Sequence, residues 1–180
     1  MTLQTPRLTL RPWKESDASA LFQWARHPEI GPAAGWPPHH NQQESLDVIH
    51  HCFHGDECYA VCEKGSDTPI GCIELKTKSA FIENDSQREL GYWLARLFWG
   101  RGYMPEACQE LLRHGFEDLR LTVIWCGYYE GNAKSARVQE KLGFQYYDTH
   151  ENTPVPLLGE VRTEIVNRMT HSQWAGRSDN

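Results

Sequence analysis

The sequence predicts a mixed α/β fold in one domain, a central sheet with helices on both faces. Three observations carry this. Strand-type segments follow one another closely between residues 59 and 94, as in a meander. From residue 105 onward helix-type and strand-type segments alternate, which places helices over a shared sheet. The chain has 180 residues, 39% of them hydrophobic, with seven Trp, seven Tyr and six Phe, enough for one sizeable core and too apolar for a disordered chain.

Each element has a local reason. Residues 7–11 alternate and are closed by Pro12, which reads as a first strand. Apolar groups recur at helical spacing over 16–26, with Ser16 or Asp17 able to cap the start. Residues 31–38, rich in Gly and Pro, are expected to form no regular structure; with Trp36 among them they read as a pocket border or a plain connector. A helix is expected over 42–53, then strands over 59–63 and 70–76 joined by a turn at 64–67, and a strand over 88–94. Helix 105–119, strand 121–128, helix 133–141 and strand 144–149 follow, with a last strand near 162–168. The domain is expected to span 1–175, and the polar tail 176–180 to fray.

Composition excludes several classes of function. The formal net charge of −6 gives no long-range attraction for a phosphate backbone, so nucleic acid is not an expected partner, while a cationic amine is weakly attracted. No apolar run approaches the roughly 18 residues of a membrane helix, so no membrane partner is expected. Residues 1–6 lack a basic stretch followed by an apolar one, so a cytoplasmic location is expected. The six cysteines form no Cys-x-x-Cys pair and read as reduced, buried thiols. His50, His51, Cys52 and His54 are crowded, but on a helix only His50 and His54 share a face, and no second ligand pair has a recognised spacing; no metal is expected.

Two segments carry chemistry. Residues 89–107 read as a strand, a loop with Gly100 and Gly102, and a helix whose buried stripe is Met104, Ala107, Cys108, Leu111, Leu112 and Gly115. Pro105 suits the first helical turn. Free backbone N–H groups at a helix start, approachable over glycines, make an anion site; a tight turn needing positive φ is the alternative. In the second segment Asn132 opens a helix as N-cap, Ser135 stands at N3, and Gly143 ends it before Phe144, all of which also have ordinary capping explanations.

The order and spacing of these parts, a Gly-x-Gly loop, helix, strand, Asn132-x-x-Ser135 and Lys141-Leu142-Gly143-Phe144, resembles the GNAT superfamily of acetyl-CoA-dependent N-acetyltransferases. The opening Thr5-Pro6-Arg7-Leu8-Thr9-Leu10-Arg11-Pro12, with Gly91-Tyr92-Trp93-Leu94 and Trp99-Gly100-Arg101-Gly102-Tyr103, is similar to the branch containing ribosomal-protein N-terminal acetyltransferases. The resemblance runs from Thr5 to about Trp174. It implies a mixed six- to seven-stranded sheet splayed in the middle, acetyl-CoA as cosubstrate, and a primary amine as acceptor, either a small molecule or a protein N-terminus. The oligomeric state it leaves as monomer or homodimer.

The resemblance also implies roles. Backbone amides of Trp99, Gly100, Arg101, Gly102, Tyr103 and Met104 wrap the CoA pyrophosphate. Tyr92, Trp93 and Leu94 bond the pantetheine arm through free backbone groups, and Asn132 touches the arm or the acetyl end. Trp99 and Met104 depart from the commoner Gln or Arg and Gly or Ala, which an amide contact tolerates. Many members carry a Tyr where this chain has Gln139, and glutamine has no proton to lose. Ser135 matches the serine of the ribosomal branch, with a helix start behind it to stabilise charge on sulfur. Glu89 matches a frequent base or water-activating position; a cross-strand carboxylate is the plainer reading, and Glu74 and Glu164 are other glutamates within the same reasoning. Two further readings stand beside catalysis: a CoA-binding regulatory module without turnover, and an unrelated nucleotide-phosphate binder that leaves the second segment unexplained. The acceptor-side segments 31–40 and 149–160 do not fix the substrate.

Overall fold

A computed structural model describes residues 1–177; the end of the expected tail, 178–180, lies outside the described residues. The described residues form eight strands in the order β1-β2-β3-β4-β5-β6-β8-β7. These are β1 (Leu3–Gln4), β2 (Leu8–Pro12), β3 (Cys58–Glu63), β4 (Pro69–Lys76), β5 (Gln87–Leu94), β6 (Val123–Tyr129), β7 (Gln145–Val155) and β8 (Glu160–Thr170). The helices are α1 (Ala18–Ala25), α2 (Gly31–Ala34), α3 (Gln42–His51), α4 (Tyr103–Arg113), α5 (Ala133–Leu142) and α6 (His171–Ala175). The mixed sheet with helices on both faces agrees with the expectation; its count of eight strands corrects six to seven. The extra strand is β1, whose two residues pair with Leu10 and Thr9 and are too few to show alternation.

Two cores sit on the two faces. On one, the α4 stripe predicted from spacing packs with Leu8, Leu10, Ile73, Leu90 and Ile124. On the other, Leu21 and Ala25 of α1 and Ile49 of α3 pack on Ala60, Cys62 and Cys72. Side chains such as Leu8, Leu111 and Phe116, with no exposed surface, each contribute about 2 kcal/mol by burial.

Several local expectations are corrected. Residues 31–34 do form one helical turn: Pro32 sits in its first positions and Gly35, at φ +92°, ends it. Proline breaks a helix interior but fits a helix start. Ser16 and Asp17 give α1 no side-chain cap. Asp17 instead turns back to Arg11, accepting from Nη1 and Nη2 at 2.8 Å, and from the Lys14 amide at 2.9 Å. α4 stops at Arg113 and continues as one π-helical turn, His114–Asp118, which places the buried His114 ring between Asp118 and Glu57, at 2.8 and 3.0 Å. The hairpin strands β7 and β8 are longer than expected and α6 follows them; polar, exposed residues on β7 hide its periodicity. Cys52 is exposed, against the expectation of six buried thiols, because it lies just past the end of α3; the other five are buried.

Candidate active site

Every neighbouring pair in the sheet is antiparallel except β5 and β6, which run parallel and pair only at Gln87, Arg88 and Glu89 against Val123, Ile124 and Trp125. Both strands continue, to Leu94 and Tyr129, without further pairing. The sheet therefore opens there, and a cavity of about 530 Å³ spans the gap. Backbone groups alternate along a strand. The Leu90 carbonyl accepts from Cys126 Sγ of β6 at 3.4 Å, so those of Tyr92 and Leu94 also face the gap while those of Trp93 face β4. The Leu94 carbonyl accepts from Trp99 Nε1 at 2.7 Å, which ties the loop to the strand.

That loop has the geometry of an anion cradle. Gly100 and Gly102 both have φ +76°, a conformation other residues rarely adopt. Among the described residues the amides of Gly100, Arg101 and Gly102 have no protein acceptor. They precede α4, eleven residues long, whose N-terminus begins at Tyr103. Side chains of Lys134, Arg137 and Lys141 line the cavity from α5, and Lys134 Nζ lies 3.8 Å from the Trp99 ring centre. The Arg101 side chain does not line it; the guanidinium lies against the Phe98 ring and 3.9 Å from Glu63. Met104 is buried in the core, and the Tyr103 hydroxyl donates to Glu63 at 2.6 Å.

The start of α5 closes the gap from the same face. Asn132 Oδ1 accepts from the Ser135 amide at 3.1 Å, and its Nδ2 donates to the Ala33 carbonyl, joining α5 to α2. Ser135 Oγ accepts from Gln139 Nε2 at 3.3 Å and lies 2.9 Å from the Tyr92 hydroxyl. Burial pushes the Tyr92 phenol well above its ordinary range, so it stays protonated, with the Ser135 Oγ at 2.9 Å and the Ser135 carbonyl at 3.4 Å as acceptors in reach. When Tyr92 donates to Oγ beside Gln139, the Ser135 proton is free to point into the cavity. Gln139 is fully buried; its amide also donates to the Gly127 carbonyl and its oxygen accepts from Asn167. It is a brace between α5, β6 and β8. The sequence missed Tyr92 as a side chain, although alternation from Glu89 puts it on the α5 face.

The opposite face carries charge of the other sign. Register places Glu74, Lys76, Glu89, Gly91, Trp93, Gly127 and Glu164 on one side of the sheet. Glu89 Oε1 accepts from Lys76 Nζ at 3.2 Å. For Lys76, burial acts to lower the pKa but is outweighed by Glu89 and Glu74, leaving it raised. Burial, with Glu89 as a like charge, raises both Glu74 and Glu164. Trp93, which lines the cavity, packs edge-on to Trp36, 6.2 Å between centres; Trp36 stands behind it, and from its segment Ala33 and Ala34 of α2 line the cavity.

An eight-stranded sheet opened between two parallel strands, with a free-amide loop on one face, is the frame of an acetyltransferase. Its fold matches a GNAT-family acetyltransferase from Bacillus anthracis with a TM-score of 0.83 at 19% identity, covering 96% of this chain and 99% of that one. Residues 7–145 match the acetyltransferase (GNAT) domain, and the chain belongs to that family of N-acetyltransferases. It is 30% identical over 149 residues to "Uncharacterized N-acetyltransferase p20" of Bacillus licheniformis, 80% of this chain and 82% of the other. It is 32% identical over 100 residues to "FsC-acetyl coenzyme A-N(2)-transacetylase" of Aspergillus fumigatus, 48% of this chain and 43% of that one.

Proposed function

We propose that this enzyme transfers acetyl from acetyl-CoA to a primary amine, a small molecule or a protein N-terminus, without a covalent enzyme intermediate. The observation that carries the donor is the row of unpartnered amides at Gly100, Arg101 and Gly102 before α4, flanked by Lys134, Arg137 and Lys141. These residues fit a pyrophosphate, and the relative named for acetyl coenzyme A supports the same donor. When bound, acetyl-CoA supplies the acetyl thioester. Backbone groups of Tyr92 and Leu94 along the gap hold its arm in place, and Asn132 fixes the helix that presents Ser135.

Ser135 Oγ, its lone pairs engaged by Tyr92 and Gln139, donates its proton toward the departing sulfur. A thiol pKa of about 8.5 makes sulfur an undemanding leaving group, so a hydroxyl donor suffices where other members use tyrosine. Glu89, held by Lys76, stands on the acceptor face and orients the ammonium by charge. Five buried free thiols suit a reducing compartment, which supports a cytoplasmic setting.

The direct test is ligand-dependent stability. A ligand bound only by the folded state adds about 2.7 kcal/mol at a hundred times Kd, so millimolar acetyl-CoA is expected to raise Tm measurably. An unchanged Tm, with no acetyl transfer across a panel of amines and N-terminal peptides, overturns the reading. Binding without turnover moves it to a regulatory module.

A further inference from the structure

We propose that Glu164, and not Glu89, takes the proton from the attacking amine. This rests on the amine-transfer reading above and deepens it.

Glu164 lies on β8, opposite Tyr129 of β6 and His150 of β7. Its side chain leans across Gly127: a Cβ at 127 would stand 2.6 Å from Glu164 Oε1 and 3.3 Å from Cδ. Only glycine leaves that room. Gly127 is two residues beyond Trp125, the last β6 residue paired with β5, so the carboxylate sits where the strands part. Glu164 lines the cavity, and among the described residues no hydrogen bond holds its carboxylate.

The other two glutamates of this face differ. Glu89 is already held by Lys76 at 3.2 Å. Glu74 stands beside Gly91 and does not line the cavity. Glu164 therefore is the cavity carboxylate with its lone pairs available. The groups that face it are Glu89 from β5, Lys76 from β4, Tyr129 from β6, and His150 from β7, with Arg162 on its own strand over the Tyr129 ring. Burial and Glu89 raise its pKa against the opposing pull of His150 and Lys76, which brings a carboxylate closer to the range in which a base works at neutral pH.

The step balances as follows. An ammonium enters beside Glu164 and gives one proton to its carboxylate oxygen. The freed nitrogen lone pair forms the C–N bond to the acetyl carbon as the C–S bond breaks, its electron pair leaving with sulfur. A second nitrogen proton is lost as the amide forms and ends on sulfur by way of Ser135 Oγ or solvent. Glu164 then releases its proton to solvent.

The test compares wild type, Glu164→Gln, Glu89→Gln and Gly127→Ala on an amine that the wild type acetylates, from pH 6 to 9. Carbon-13 spectra of the glutamate carboxyls are read alongside, without substrate. Glu164→Gln is expected to lose about a hundredfold at the acid end, with the deficit shrinking as free amine appears. Glu89→Gln is expected to show a deficit that does not vary with pH. Gly127→Ala keeps the carboxylate but moves it, and is expected to reproduce the pH-dependent loss. In the spectra the Glu164 carboxyl is expected to titrate above the ordinary carboxylate range and to move back toward it in Gly127→Ala. A flat deficit in Glu164→Gln, a pH-dependent one in Glu89→Gln, or an ordinary Glu164 titration overturns the proposal while leaving amine transfer intact. A wild type that acetylates no amine overturns amine transfer first, and is told apart because the variants then have no activity to lose.

Discussion

The two faces of the gap are made of different material. On the face proposed for the cofactor the candidate groups are main chain, the amides of Gly100, Arg101 and Gly102 before α4, with Ser135 added from α5. On the face proposed for the acceptor they are side chains brought by separate strands, Lys76 from β4, Glu89 from β5 and Glu164 from β8, over Gly127 of β6. A main-chain site is indifferent to most side chains but sensitive to backbone conformation. A side-chain site has the opposite sensitivity, and tolerates drift in every residue except those that point inward.

The largest effect expected from this contrast is at Gly102. A β-branched residue there is strained at φ +76° and fills the approach to the amides, so Gly102→Val is expected to weaken acetyl-CoA by about a hundredfold in calorimetry. No protein atom lies closer than 3.5 Å to the added Cβ, so a clash inside the protein does not explain such a loss. Gly65, at φ +85° in a turn away from the site, is the control: Gly65→Val carries similar strain and is expected to lower Tm with acetyl-CoA affinity unchanged. Equal losses of affinity in the two variants would remove the case for a cradle.

Next comes Ser135→Ala, expected to lower kcat about tenfold with acetyl-CoA affinity within a few fold, because it removes a donor to sulfur and not a binding group. Tyr92→Phe, which takes one donor from the same oxygen, is expected to lower kcat by about threefold. A fall in affinity larger than the fall in kcat would assign both residues to binding. The smallest effect is the most telling for the comparison. Arg101→Ala removes a cation within the loop, yet its side chain is turned to Phe98 and Glu63, so affinity is expected to change by about twofold or less. A tenfold loss would mean that the cradle works through side-chain charge after all.

The same contrast explains what could be read from the chain alone. Gly100, Gly102, Asn132 and Gly143 act within a few residues of themselves, and their turn and capping chemistry is written locally. Glu89 was visible because strand alternation is local too. Its partner Lys76 was not, because the pair exists only through the register of β4 on β5. In the sequence Gly127 reads as any strand residue; only the fold brings Glu164 over it. The turn at 31–34 was hidden by a Gly-Pro pair that argues against helix in general and permits it only at a first turn. Gln139 was read by what it lacks, a phenol; the structure adds what it does, bracing α5 to β6 and β8.

The three-residue junction between β5 and β6 has a consequence for the chain during its synthesis. Strands β1 to β5 come from residues 3–94 and are joined by antiparallel neighbours, so that half of the sheet has all its members as soon as those residues emerge. Its last strand then presents an open row of main-chain donors and acceptors until residues 123–129 arrive to cover the first three of them. No strand covers the rest of that row in the finished sheet; side chains of Cys126 and Trp99 reach only its Leu90 and Leu94 carbonyls. An unprotected strand edge is a template for another copy of the same chain. The edge proposed to hold the cofactor arm is thus also where a newly made chain is most exposed to self-association, and crowded overexpression is expected to find it first.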